Sequence, residues 1–446
     1  MTAILALVAT ACAAGGSDEL PRYWLKVGQQ LKYQGKSDFK YDNGSLAYQN
    51  DWTFWVVRAN DDGSWRVIGR SSSRTSQTMS GQKAHEMPAD VTIAYFDLFP
   101  DGRVVANKSF GYRFDPSGVF PRLPNDAEQA KSVWVSKNER DSKTTEFKHS
   151  SADGSQGDEW VFDAVDHGIW DKIYLMSSHS RTFFDLKKGL VKRIESENTQ
   201  DYGFHGKGTG TVTLTAMEEH NPDQIKALEQ ESARYFAANQ KYEDLTTEAG
   251  KDAEHVKGLL AKAETTLKDA NDSLKLPDLR EQIDVQLKRH KQMESYYTEE
   301  AKNRSAVLGK PAADWETKDL EGKTHSLKGY KGKVVILDFW YRGCGWCIRA
   351  MPQMKELAED FKGQPVVVLG MNTDSDEKDA KFVVDEMKLN YPVLKAEGLP
   401  EKYHVRGFPT LIIVDPSGKV ADVHVGYSST LREEVAKAVK RLLARQ

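Results

Sequence analysis

The chain has 446 residues, 62 of them Lys or Arg and 66 Asp or Glu, for a formal net charge of -4. That length implies two to four domains, and 39% hydrophobic with 29% charged residues is the make-up of an ordinary globular protein. The near-balance of charge argues against nucleic acid as a partner, because neutralising phosphates needs a basic surface.

The first apolar run, Thr2 to Ala14, carries Ile4, Leu5, Leu7 and Val8 followed by small residues. It is too short to span a bilayer but suits the apolar core of a secretory signal, with Ala9-Thr10-Ala11 as a small-x-small cleavage pattern. No Lys or Arg precedes it. Residues 1–16 are therefore expected to be a signal peptide or a lipoprotein leader, placing the mature protein in the periplasm or anchored to the cell envelope. Cys12 is either removed with that leader or kept as a lipid-bearing N-terminus, although Ala9 stands where a lipoprotein leader prefers Leu.

Residues 17–220 read as an antiparallel β domain. Apolar and polar residues alternate, as in Trp52 to Val57, Thr92 to Phe96 and Gly210 to Leu214. Turn dipeptides punctuate them at Asn43-Gly44, Asp62-Gly63, Asp101-Gly102 and Ser117-Gly118. Seven of the ten tryptophans lie here, including Trp24, Trp65, Trp134, Trp160 and Trp170. A large sheet, curved or closed like a barrel, would use them as core and cross-strand partners. Core packing is favoured over an aromatic-lined ligand groove. The histidines of this region (His85, His149, His167, His179 and His205) show no metal-ligand spacing.

Asn221-Pro222 opens a helical stretch over 221–305, since Asn caps a helix and Pro suits its first turn. Apolar residues recur at helical spacing, as in Val256, Leu259, Leu260, Ala263 and Leu267. Breaks at Gly250 and Leu276-Pro277 divide the stretch into three helices, read as a linker or hairpin.

From residue 306 strands and helices alternate, the pattern of an α/β domain. Strands are expected at Val334 to Phe339, Pro365 to Met371, Tyr391 to Leu394, Leu411 to Val414 and Val420 to Val425. Helices are expected from the cysteine pair through Phe361, around Lys378 to Met387, and over Leu431 to Leu443.

Cys344-Gly345-Trp346-Cys347 lies at the end of the first of these strands and the start of its helix. Two intervening residues put both sulfurs on the first helical turn, within bridging distance. The helix N-terminus stabilises a thiolate on the first sulfur through its partial positive charge and unpaired amides. Half a zinc site is the competing reading, but no second Cys pair or ligand-spaced His pair accompanies it. With three cysteines in the chain, a structural disulfide framework is excluded. Thiol–disulfide exchange is the chemistry left, with no cofactor and no metal beyond the Cys344–Cys347 pair.

Several separated elements resemble the thioredoxin fold, over Val307 to Gln446. Asp338-Phe339-Trp340 precedes the pair, Pro352 lies five residues beyond Cys347, and Val405-Arg406-Gly407-Phe408-Pro409-Thr410 is similar to the cis-proline loop. Gly309 to Trp315, Asp319 to Lys323, Lys331-Gly332-Lys333 and the extra helix and strand before Pro409 are similar to the exported TlpA/ResA-type thiol-disulfide oxidoreductases. The resemblance implies Cys344 as attacking thiolate, Cys347 as resolving thiol, and a cis Pro409 facing the sulfurs with backbone groups for an incoming strand. It implies a buried Asp338 of raised pKa as proton carrier, with Trp346, Gly407 and Phe408 against the substrate. Arg342 and Arg349 flank the pair. Its partners would be protein disulfides and an envelope electron donor. Gly345-Trp346 replaces the more usual Gly-Pro, Gly343 an aromatic residue and Ala350 a Glu, so reductase, oxidase and isomerase directions stay open. Two other readings are a peroxiredoxin-like thiol peroxidase and an envelope scaffold protein with an accessory redox domain.

Overall fold

The computed structural model describes residues 20–87, 89–106, 114–138, 143–150, 158–168, 172–201 and 205–445. The segment 1–16 read as a leader, with Cys12, lies outside them, as does Trp170. Two compact units result: one of residues 1–137, 144–167 and 176–226, the other of residues 138–143, 168–175 and 227–446.

The first unit is a twelve-stranded antiparallel sheet. Its strands are β1 (Gln29–Tyr41), β2 (Gly44–Ala59), β3 (Trp65–Met79), β4 (His85–Glu86), β5 (Asp90–Leu98), β6 (Val104–Ala106), β7 (Val133–Asn138), β8 (Lys143–His149), β9 (Glu159–His167), β10 (Met176–Asp185), β11 (Leu190–Gln200) and β12 (Gly206–Glu219). The order is β6-β5-β3-β2-β1-β12-β11-β10-β9-β8-β7, with β4 beside β3. Among the described residues this path is open, so the barrel-like closure entertained from the sequence is not seen. Asn43-Gly44 and Asp62-Gly63 fall at the β1–β2 and β2–β3 turns.

Alternation along each strand sends one set of side chains to a common interior. Leu31, Tyr33, Phe54, Val56, Phe96, Phe162 and Phe184 meet there with loop residues Tyr23, Phe114 and Phe120. Phe54 sits at the centre, edge-on to Tyr33, Phe96, Phe114 and Phe120 with ring centroids 4.8–6.1 Å apart. Gly69 on β3 makes room for Phe114, whose Cζ lies 2.5 Å from where a Cβ would stand. Trp134 is buried and stacks on Phe147 at 5.6 Å, while Trp52, Trp65 and Trp160 pack partly buried against the same core. Most of the described tryptophans thus serve packing; Trp24 is exposed.

Three helices follow, α1 (Pro222–Ala249), α2 (Val256–Ser273) and α3 (Pro277–Val307), which from Ala227 onward belong to the second unit. Asn221 and Gln224 cap the first reciprocally, each side chain accepting the other's backbone N–H at 3.0 Å. Ala249, Val256, Leu259, Leu260 and Ala301 form one apolar cluster between the helices. The buried Glu231 carboxylate accepts from Lys275 and Leu276 N–H at 2.8 Å each, satisfying donors where α3 starts. Arg304 near the end of α3 bonds the Asp422 carboxylate at 2.6 Å and the Val423 carbonyl. No helix among the described residues is long and apolar enough to cross a membrane.

The α/β domain follows. A small hairpin, β13 (Glu316–Lys318) and β14 (Thr324–Ser326), precedes a five-stranded sheet ordered β17-β16-β15-β18-β19. These are β15 (Val334–Trp340), β16 (Val366–Asn372), β17 (Val393–Lys395), β18 (Thr410–Val414) and β19 (Val420–Val425), with helices α4 (Gly345–Asp360), α5 (Glu377–Met387) and α6 (Leu431–Leu443). The strands β15, β16 and β17 are parallel, and β18 and β19 antiparallel. All seven residues of β15 are buried, as expected of a central strand covered on both faces. Val335, Leu337 and Phe339 join one apolar cluster with Trp315 and Tyr403. The alternate residues, Ile336, Asp338 and Trp340, point to the other face. The buried side of α4 (Ile348, Met351, Met354 and Leu357) has no part in that first cluster and packs on this second face.

Phe54→Ala is expected to lower the stability of the first unit by about 3–5 kcal/mol, because the ring leaves a large cavity among aromatic neighbours that cannot collapse into it. Urea unfolding followed by tryptophan emission checks it.

Candidate active site

Strand β15 ends at Trp340 and the chain turns through Tyr341, Arg342 and Gly343 into α4. Cys344 is the N-cap of that helix, in extended conformation, and its sulfur accepts the Cys347 N–H at 3.1 Å. The cap position gives one sulfur an amide donor and the positive end of the helix dipole, both of which favour a thiolate. Cys344 and Cys347 are joined by a disulfide, with Cα atoms 5.2 Å apart. Cys344 is 6% exposed and Cys347 2%, so the first sulfur is the one nearer solvent.

Aromatic side chains pair with one another on the segments next to the cysteines and on the Pro409 loop. Trp346, between the cysteines, is 47% exposed. It stacks on Tyr427 at 5.5 Å, and the Arg349 guanidinium lies 4.9 Å from its ring centroid. Tyr341 meets Phe408 edge-on at 5.3 Å. The Phe408–Pro409 peptide is cis, as the resemblance implies. The Pro409 carbonyl accepts from Gly426 N–H and the Gly407 carbonyl from the Thr410 hydroxyl, each at 2.8 Å. Those two acceptors are engaged within the domain.

Arg342 does not aim its charge at the sulfurs. Its guanidinium bonds Asp379 at 2.8 Å and lies over the Phe382 ring, while its N–H donates to Asp374. Residues 172–175 belong to this unit, and there the Ile173 carbonyl accepts from the guanidinium at 3.1 Å and the Tyr174 hydroxyl donates to the Arg342 carbonyl at 3.0 Å. The Arg342 guanidinium is paired with the Asp379 carboxylate, which fixes the turn that leads into Cys344. Arg349 is spread over Trp346 instead.

Asp338 is 2% exposed, and burial pushes its carboxyl up to about 7 from the ordinary 3.8. It lies on the face that α4 covers, six residues before Cys344 in sequence. A carboxyl poised near neutrality can both take and return a proton, which suits it to thiol chemistry. Tyr391, Tyr427, Asp374 and Asp379 were not singled out from the sequence. Tyr391 was readable only as the start of a short strand, and the aspartates only as part of a helix N-terminus. Among the described residues no His, Cys, Asp and Glu cluster could hold a metal ion.

Residues 308–423 match the AhpC/TSA family model. The thiol-disulfide oxidoreductase ResA of Halalkalibacterium halodurans is 32% identical over 138 residues, 30% of this chain and 78% of that protein. The thioredoxin-like protein YneN of Bacillus subtilis is 35% identical over 135 residues, 29% of this chain and 79% of its own. A thiol:disulfide interchange protein from Bacteroides sp., solved in solution, is 32% identical over 30% of this chain and 91% of its own, with a TM-score of 0.28. The family match and the ResA and YneN relatives make this protein a protein thiol-disulfide oxidoreductase. Through its C-terminal third the chain belongs to the ResA-type thiol-disulfide oxidoreductases.

The Asp338 carboxyl also links stability to pH. Between pH 3.8 and about 7 the folded chain keeps this proton, whereas an unfolded aspartate has lost it. Stability therefore falls as pH rises through that window, by about 4 kcal/mol for a shift of about 3 units. Asp338→Asn is expected to exceed the wild type in stability by up to that amount above about pH 8 and to lose the advantage near pH 4. Denaturant unfolding of both proteins across pH measures the difference.

Proposed function

We propose that Cys344–Cys347 is the exchanging disulfide of an exported enzyme that acts on disulfides of other envelope proteins. The observation that carries this reading is the bridge at the helix N-terminus, with Cys344 as cap and its sulfur holding the Cys347 amide. In the reducing direction the Cys344 thiolate attacks a substrate disulfide, forming a mixed disulfide and expelling one substrate thiolate. The Cys347 thiol then loses its proton to the Asp338 carboxylate and attacks the Cys344 sulfur. The mixed disulfide breaks, the second substrate thiolate leaves and takes a proton from solvent, and two electrons have passed from the pair to the substrate. Oxidation of a substrate dithiol runs the same steps backwards.

The substrate polypeptide is held against Trp346, Gly407 and Phe408, beside Pro409. The half-exposed indole of Trp346 and the edge-on pair of Tyr341 and Phe408 support this, because aromatic faces supply contact area at low entropic cost. An electron donor of the same compartment returns the pair to its working state. Export rests on the leader over 1–16, and a lipid anchor at Cys12 would hold the protein at the envelope. The β-sheet unit serves recognition or targeting in this scheme.

Cys344→Ser is expected to abolish insulin reduction, and Cys347→Ser to accumulate mixed disulfides visible as non-reducing adducts with partner proteins. Rapid hydrogen peroxide consumption by the reduced wild type, without insulin reduction, would overturn the assignment in favour of a thiol peroxidase.

A further inference from the structure

Beneath the cysteine helix, three adjacent strands bring a second titratable side chain to the face that carries Asp338. Asp338 on β15 pairs with Gly370 on β16, and Gly370 with Val393 on β17. Paired residues of neighbouring strands point to the same face. Tyr391 lies two residues before Val393, and its neighbour Pro392 is fixed by a 2.9 Å bond from Gly370 N–H. Gly370 leaves the space that the ring uses. A Cβ there would stand 3.0 Å from Trp340 Nε1, 3.0 Å from Val393 Cγ2 and 3.3 Å from Tyr391 Cε2. The glycine lets the phenol and the Trp340 indole converge over β16, beside the strand that carries Asp338.

Both rings bring a polar atom into this pocket. Tyr391 is 7% exposed and Trp340 fully buried, and neither the Tyr391 hydroxyl nor the Trp340 Nε1 has a hydrogen-bond partner. Buried donors without partners are uncommon because each forfeits its hydration. A phenylalanine would fill the same space without that cost. Burial and the nearby Asp338 charge together push the Tyr391 phenol well above its ordinary range, so it stays an O–H donor. Burial alone accounts for the raised Asp338 carboxyl, while the Tyr391 phenol feels the Asp338 charge.

We infer that Tyr391 is a positioning residue for the exchange reaction: its buried hydroxyl stabilises the Asp338 carboxylate and so sets how readily that group takes the Cys347 proton. The inference rests on the reading of Asp338 as proton carrier. The hydroxyl touches neither sulfur nor substrate; it acts through the carboxyl. A donor beside a carboxylate favours the charged form, so its loss makes Asp338 hold a proton more tightly.

The test uses the reduced full-length protein and Ellman's reagent, following release of the second thionitrobenzoate, the step in which Cys347 attacks the mixed disulfide on Cys344. Rates are taken over about pH 5–9, alongside the infrared carboxyl band of Asp338. Tyr391→Phe is expected to move the acid limb and the carboxyl titration up together by about one unit, slowing the step about fivefold at pH 7, with alkaline rates unchanged. Tyr391→Met, which also fills the pocket without a donor, has to repeat the shift. If both variants titrate like the wild type while Asp338→Asn flattens the limb, the inference is overturned and the proton role of Asp338 stands. A uniform loss of rate with no shift likewise reduces Tyr391 to packing. If Asp338→Asn leaves the limb intact, the underlying reading fails.

Discussion

The site depends on a carboxylic acid held in the middle of a fully buried strand. Asp338 occupies a position in β15 where every other residue is apolar or aromatic, and its sheet neighbours supply no charge to offset it. Desolvation drives the carboxyl towards neutrality, and β15 itself runs on into the helix that begins at Cys344. One strand therefore positions both the buried acid and the cysteine turn. The cost of burying the acid falls on the folded state above neutral pH.

The charges nearest the cysteine turn are handled in the opposite way. The Arg342 guanidinium is paired with Asp379 on α5, and Arg349 lies along Trp346. The field that favours a thiolate at Cys344 then comes chiefly from the helix N-terminus and the Cys347 amide, short-range groups fixed by the backbone. Trp346 and Tyr341 present exposed aromatic rings next to the cysteines. Arg304 ties α3 to β19 through Asp422, so the helices and the redox domain share one compact unit.

Much of this architecture was legible from residue order. The run Val334 to Trp340 reads as a buried strand because it is continuously apolar around one Asp, and Leu431 to Leu443 as a helix because its apolar residues repeat at helical spacing. The β13–β14 hairpin was not legible: its strands are three residues long and it is held by Asp319 bonding both His325 and the turn amides. The open path of the large sheet depends on pairings between segments more than a hundred residues apart, such as β1 with β12. The cysteines and Asp338 stood out by motif. The Tyr391 pocket did not, because it exists only once register places Gly370 between Asp338 and Val393.

The reduction potential of the Cys344–Cys347 pair, equilibrated against glutathione or dithiothreitol and read by tryptophan emission, tests the central claim most directly. An exchanging pair titrates reversibly as a two-electron couple within about -270 to -120 mV. A bridge that resists reduction until below about -300 mV, or yields only as the protein unfolds, would mark a structural disulfide and contradict the account.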